Sequence, residues 1–203
     1  ITYGRSPQAD VRLLGGDFVD GETRFSVHIS NRRTGRQSVL DGLSLAMPGD
    51  HNILNATSAI ASAEELGIPV ESIRQGLKGF SGVKRRFTRT GTHDGVTVYD
   101  DYGHHPVEIA AVLAAARRVT QGRGGAGGQP RLSARLSNLF NEFCTCFNDA
   151  DTIVVAPVYA AGEQPIEGAS HESLALGLTD RGHRHVLRID RPEELAGLVR
   201  DNT

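Results

Sequence analysis

The sequence predicts an α/β chain in two segments, an antiparallel β meander with helices followed by a doubly wound α/β domain. Residues 9–46 alternate apolar and polar side chains in runs separated by turn residues. From residue 96 onward, short β-rich runs alternate with stretches of helical periodicity. Between the two lies G-F-S-G-V-K-R-R-F, glycine-punctuated and basic, which follows neither pattern. The break falls near residues 82–91, and the segments are taken as 1–85 and 86–203.

In the first segment three runs read as strands: A-D-V-R-L-L, F-V-D-G-E-T-R-F-S-V-H-I-S and R-Q-S-V-L-D-G-L-S-L-A-M. Asp20-Gly21 and Thr34-Gly35 supply the turn chemistry. Arg24, Ser26, His28 and Ser30 fall on one face, and Phe25, Val27 and Ile29 on the other, so the meander has one wet face. His28 reads as a solvated strand residue. Pro48-Gly49 closes the meander. Ile53, Leu54, Ala56, Ile60, Ala63 and Leu66 then carry a helical period, with Asp50 or Asn52 as cap and Gly67 as stop. A second helix over about 70–78 turns Ile73 and Leu77 inward. Lys84, Arg85 and Arg86 follow together, open to two readings: a charged linker or a phosphate clamp at a hinge.

The second segment begins at V-T-V-Y-D-D-Y-G-H-H-P-V-E-I, residues 96–109. A short strand runs into Asp100, Asp101, Tyr102, His104 and His105, and Pro106 suits the first turn of a helix. Ile109, Val112, Leu113 and Ala116 continue that helix on one face. Carboxylates, a phenol and two imidazoles therefore crowd the turn after a strand's carboxyl end, where open α/β sheets bind ligands. The bland reading is a polar turn whose Asp caps the helix. Later elements are a buried strand at 152–156, a helix at 170–181, a strand at 185–189 and a last helix opened by Pro192. The loop P-V-Y-A-A-G-E-Q-P also follows a strand end, with Glu163 and Gln164 unassigned.

One stretch breaks the rhythm. A strand is due before the helix Leu136 to Phe147, but the chain supplies G-R-G-G-A-G-G-Q-P-R-L-S-A-R. Small residues from Gly124 to Gly128 lack the apolar faces of a central strand, so the strand is expected to be absent, weak or altered. A phosphate-binding glycine loop is the alternative, but neither G-x-x-x-x-G-K-[ST] nor a strand-led G-x-G-x-x-G is present.

Composition narrows the function classes. A formal charge of −2 over 203 residues argues against a nucleic-acid partner held by bulk electrostatics. No apolar stretch approaches the ~20 residues needed to span a membrane, and no signal peptide opens the chain. Cys144 and Cys146, two apart in a helical pattern, point to different faces and read as reduced packing residues of a cytosolic protein. They have no second ligand pair at zinc spacing, and no metal site is assigned. Ile1-Thr2-Tyr3 begins in strand and Asp201-Asn202-Thr203 stops after a helix, so the chain is expected to be a piece of a longer protein.

G-D-H-N-I-L-N-A (49–56), G-V-K-R-R-F (82–87) and D-D-Y-G-H-H-P (100–106), in this order, resemble the Mur ligases. These are ATP-dependent amide-forming enzymes of bacterial peptidoglycan synthesis. With V-Y-A-A-G-E (158–163), the last motif is most similar to members that join L-alanine to UDP-N-acetylmuramate. The resemblance implies that residues 1–85 are the end of a central ATP-binding domain, and that 86–203 are most of a Rossmann-like C-terminal domain. It implies a cytoplasmic enzyme using ATP and magnesium, with the metal ligands mainly in a part not in this chain. His51, Asn52 and Asn55 match the motif at the adenine, Arg86 the arginine that reaches the phosphates, and Asp101 the acid at the ribose. Tyr102 and His104 match positions where the amino acid meets an acyl phosphate, and hinge closure is expected to bring the second segment over the nucleotide.

The implied reaction phosphorylates the lactyl carboxylate and then lets the amine of L-alanine displace phosphate. Arg86 and His104 are the catalytic candidates, and Tyr102, His104 and Arg135 the substrate-binding ones. The chain departs from the family pattern after Gln129-Pro130. Of two arginines expected at the amino-acid carboxylate, Arg135 matches one, Leu132 replaces the other, and Arg131 stands one place earlier. No P-loop occurs in these 203 residues, so the chain alone is expected to be inactive. Two alternatives are kept: a non-catalytic nucleotide- or substrate-binding relative, and a hydrolase holding a metal on Asp100, Asp101, His104 and His105.

Overall fold

Asp20 and Gly21 both adopt positive φ, 54° and 83°, the mirror-image turn that matches the twist of a hairpin. They join β2 (Val11–Val19) to β3 (Glu22–Ser30), which pairs antiparallel with β4 (Gln37–Leu45). A short β1 (Tyr3–Gly4) lies parallel to β2, giving the order β1-β2-β3-β4. This is the meander the alternation predicts, with Val11, Leu13, Phe25, Val27 and Ile29 buried. The computed structural model describes all residues except Arg33, Pro192 and Thr203, and only the backbone of Asp201 and Asn202.

A β-bulge departs from simple alternation. Leu40 pairs with Val27 and Leu43 with Phe25, so Ser26 faces two residues, Asp41 and Gly42. Gly42 supplies the positive φ of 65° that this bulge requires. As a result Leu40 and Leu43, three apart, both enter the core, where strict alternation would expose one.

Helix α1 (Asp50–Glu65) covers the sheet with Ile53, Ala56, Ile60 and Ala61. Its cap is Gly49, with no side-chain cap bond, rather than Asp50 or Asn52. The Asn52 amide instead donates to the Pro48 carbonyl at 2.7 Å, and Asp50 pairs with Arg5 at 2.8 Å. Gly67 ends the run at φ 69°, and the Ile68 N–H closes back on the Ala63 carbonyl. Helix α2 (Val70–Lys78) follows and buries Ile73. Ile1–Lys84 form one compact unit and Arg85–Thr203 a second.

The second unit opens with a hairpin. β5 (Thr88–His93) and β6 (Val96–Asp100) pair antiparallel across Asp94-Gly95, which take φ 49° and 82°. The strand before the polar turn is therefore present, but its partner is β5, and the two form their own two-stranded sheet. T-R-T-G-T-H has no apolar alternation, so periodicity could not reveal β5. Helix α3 (Pro106–Val119) leads to a parallel sheet of β7 (Gly125–Gly128), β8 (Thr152–Val155) and β9 (Val186–Arg188), in that order.

The missing strand is thus made of glycine and alanine. β7 sits at the edge of its sheet, pairing only with β8, and neighbouring side chains fill the space its own lack. A Cβ on Gly128 would lie 3.6 Å from the Phe147 ring, and one on Gly127 3.6 Å from Leu195. Arg117 pins the approach: its Nε donates to Asp149 O at 2.6 Å and its Nη2 meets Asp151 Oδ2 at 2.7 Å. The same Asp151 oxygen accepts the Gly124 N–H at 2.7 Å.

The single helix expected over 136–147 is two short ones, α4 (Ser133–Asn138) and α5 (Phe140–Phe143), broken at Leu139 (φ −119°, ψ 26°). Helix α6 (His171–Asp180) starts under a Ser170 cap, its side chain accepting from Ser173 N–H at 3.2 Å, and α7 (Glu194–Asn202) is the last element. The expected opener, Pro192, lies outside the described residues. Leu136, Phe143, Ile153, Val155, Leu174 and Leu178 make the core, together with Cys144 and Cys146. Both cysteines are unpaired and buried, and burial pushes the Cys146 thiol up to about 12.

Candidate functional site

Asp101 ties the turn after β6 together. Its Oδ1 accepts the Gly103 N–H at 2.6 Å and its Oδ2 the Phe87 N–H at 2.8 Å, while Tyr102 N–H donates to Arg85 O at 2.8 Å. Arg85 and Phe87 hold positive φ of 59° and 50°, a sparsely populated region for such side chains. These bonds hold that conformation and place Arg86 between them, where its guanidinium meets Glu108 at 3.7 Å.

His104 and Glu108 form the next contact. The His104 N–H donates to Glu108 Oε2 at 3.1 Å, and His104 Nδ1 lies 2.9 Å from Tyr102 O. A proton on Nδ1 satisfies that carbonyl and leaves Nε2 with a lone pair that can accept a proton. Burial works against the Glu108 charge, but the His104 N–H and the His104 and Arg86 side chains outweigh it and hold its carboxyl below the usual glutamate range. The cap of α3 is His105, whose Nδ1 accepts from Val107 N–H at 3.3 Å, and not an Asp. Glu108, at the third helical position, was missed; a Glu there is the legible mark of a capping box.

A second wall comes from the chain leaving β7 and β8. Arg131 and Tyr159 form an isolated parallel bridge, with Leu132 N–H donating to Tyr159 O at 3.0 Å. The Arg131 guanidinium lies 4.7 Å from the Tyr159 ring centre and 5.2 Å from that of Tyr102, and Arg85 lies 4.7 Å from Tyr102. Arg135 Nη1 donates to Arg131 O at 3.4 Å, and Glu163 accepts the Ala134 N–H at 3.0 Å. Tyr102, His104, Arg131, Arg135, Tyr159 and Glu163 thus gather beyond the carboxyl ends of β6, β7 and β8. Tyr159 stands in the V-Y-A-A-G-E motif at a strand end but was given no role from sequence, because its contact with Arg131 joins two separate elements.

In the first unit, His51 and Asn55 lie one turn apart on the same side of α1, while Asn52 is buried and engaged with Pro48. The metal-hydrolase alternative fails on geometry. Asp100 pairs with Arg85 at 3.3 Å, both Asp101 oxygens accept backbone N–H groups, and His105 is spent as a cap. Among the described residues no three His, Cys, Asp or Glu side chains gather as a metal set. Nor is any described helix long and apolar enough to cross a membrane.

Residues 85–202 match the family described as Mur ligase, glutamate ligase domain. The chain belongs to the Mur ligase family. It is similar to the UDP-N-acetylmuramate–L-alanine ligase of Methylobacterium radiotolerans, with 59% identity over 99% of this chain and 43% of that protein. The ligase of the same name from Azorhizobium caulinodans is also 59% identical, over 98% of this chain and 43% of its own length. Among solved structures, the UDP-N-acetylmuramate–alanine ligase of Thermotoga maritima superposes with a TM-score of 0.75 at 25% identity, over 98% of this chain and 41% of that one. A folylpolyglutamate synthase of Mycobacterium tuberculosis, at 19% identity and a TM-score of 0.71 over 96% of this chain and 42% of that one, shares the fold. The chain spans about two fifths of the length of the curated relatives it matches.

Proposed function

We propose that this chain is the amino-acid-receiving part of an ATP-dependent ligase that joins L-alanine to UDP-N-acetylmuramate in the bacterial cytoplasm. The observation that carries the reading is the array of Tyr102, His104, Arg131 and Arg135 at the carboxyl edge of the second unit, in a chain 59% identical to a ligase of that name.

The chemistry follows from the side chains. Phosphoryl transfer from ATP turns the lactyl carboxylate into an acyl phosphate, and Arg86 neutralises charge spreading over the phosphate oxygens. His51, Asn52 and Asn55 serve the adenine region and Asp101 the ribose. The L-alanine carboxylate takes the N–H edges of Arg131 and Arg135. Its amine attacks the acyl carbon and forms the C–N bond; the C–O bond to phosphate breaks, and phosphate leaves with that electron pair. The amine proton passes to His104 Nε2. Arg131 takes the part of the arginine that Leu132 lacks, its guanidinium placed over both the Tyr102 and Tyr159 rings. No step is assigned to magnesium through residues of this chain.

The test uses the longer protein that carries this chain. Phosphate release should require ATP, UDP-N-acetylmuramate and L-alanine together, and His104→Gln should lower kcat about 10²-fold or more. Turnover with another amino acid and none with L-alanine would sink the assignment.

A further inference from the structure

Two stretches that the ligase reading leaves unused, Gly122-Arg123-Gly124 and Gly182-His183-Arg184-His185, meet in the second unit. Arg123 precedes β7, Asp151 precedes β8 and His183–His185 precede β9. The three strands are parallel, so these residues share the amino edge of the sheet, opposite the edge of Tyr102 and Arg131. With Ile153 they line a cleft of about 380 Å³, within the range of roughly 300–1,000 Å³ usual for small-ligand sites.

The cleft's cations outnumber its one carboxylate. Among the described residues, the side chains of Arg123, His183, Arg184 and His185 have no hydrogen-bond or ion-pair partner. The one carboxylate present, Asp151, has its Oδ2 engaged by Arg117 and by the Gly124 N–H, each at 2.7 Å. Two planar guanidinium forks and two imidazoles thus line one concavity whose single carboxylate, Asp151, is bonded to Arg117 and feels Arg123 only through its charge, which leaves the guanidinium N–H edges for a further anion. His183 is half-buried, and the other three are exposed and reachable from solvent. We propose that this cleft binds a compact phosphate oxyanion, separately from the ligase site.

Free phosphate and the terminal phosphate of a nucleotide share this chemistry, and the experiment separates them. The 203-residue chain is titrated by NMR with inorganic phosphate and with metal-free ADP, against sodium chloride at matched ionic strength, following amides and the His183 and His185 rings. Saturable shifts at Arg123, His183, Arg184 and His185, with Arg131 and Arg135 unmoved by phosphate, are expected. Tighter shifts with ADP assign a nucleotide source, and equal or weaker ones assign free phosphate. Arg123→Ala with Arg184→Ala, both exposed, should keep the dispersed spectrum and weaken binding at least about tenfold. Shifts reproduced by chloride, no saturation with either anion, or unchanged affinity in the double variant would overturn the proposal.

Discussion

The guanidinium of Arg131 lies 4.7 Å from the ring centre of Tyr159, and the two residues are also bridged through their backbones. A cation stacked on tyrosine, on a backbone held by the next strand's exit, is pre-oriented and keeps its N–H edge for a carboxylate. On the proposed function, Arg131→Ala in the longer protein should raise KM for L-alanine about tenfold with kcat changed less than about threefold. Arg131→Lys should not restore KM, because an ammonium cannot stack as a plane. Steady-state kinetics in L-alanine check both.

Asp101 holds Phe87 and Gly103 through its two oxygens, so its removal should be felt without nucleotide. Asp101→Ala should cost about 1–3 kcal/mol in urea unfolding of the chain. Its amide shifts should centre on Phe87 and Gly103, which donate to those oxygens, with Phe87 at positive φ. An unchanged unfolding midpoint would leave Asp101 with a ligand role alone.

The Glu108 carboxyl sits below its ordinary value of 4.5, despite burial, because the His104 N–H and the His104 and Arg86 charges favour the anion. A depressed folded value means that its contribution is fully present above the unfolded value and is lost as pH falls through the folded one. Glu108→Gln should therefore flatten the acid side of the stability profile below about pH 4.5 and leave neutral pH changed by less than about 1 kcal/mol. Denaturant midpoints from pH 3 to 7 measure it.

Gly177 lets α6 approach α5. A Cβ there would lie 2.6 Å from Cys144 Sγ and 3.0 Å from the Phe140 ring. Alanine's helix propensity favours the substitution by about 1 kcal/mol, but overpacking a filled core costs about 1–3 kcal/mol. Gly177→Ala is expected to destabilise the chain, and a double-mutant cycle with Cys144→Ala should show coupling of at least about 0.5 kcal/mol.

Burial raises the Cys144 thiol, and the Cys146 thiol is pushed up to about 12. The thiolate is the reactive form, so neither cysteine should label with iodoacetamide in the native chain at pH 8. Both should label in denaturant, as mass spectrometry can count.

Much of this was legible in the chain. The period-two runs located β2, β3 and β4, and the helical period with Gly67 located α1 and its end. D-D-Y-G-H-H-P announced a strand-to-helix turn dense in polar groups, and the turn stands there. Patterns of this kind are local: a residue's burial on one face shows in its neighbours at two, three or four places. Threonine-rich β5 and glycine-rich β7 carry no such record, because pairing partners and distant side chains supply what their own side chains do not.

The sequence by itself determined the two-segment α/β plan, the polar turn at 100–106 and the resemblance that names a family. Only the tertiary structure decided that Arg131 lies over the rings of Tyr102 and Tyr159, that Asp101 braces Phe87, and that Arg123 meets His183 and Arg184 in one cleft. The reason is that these relations join residues far apart in the chain through backbone pairing and side-chain stacking. No local period records a contact whose two halves are set by different elements.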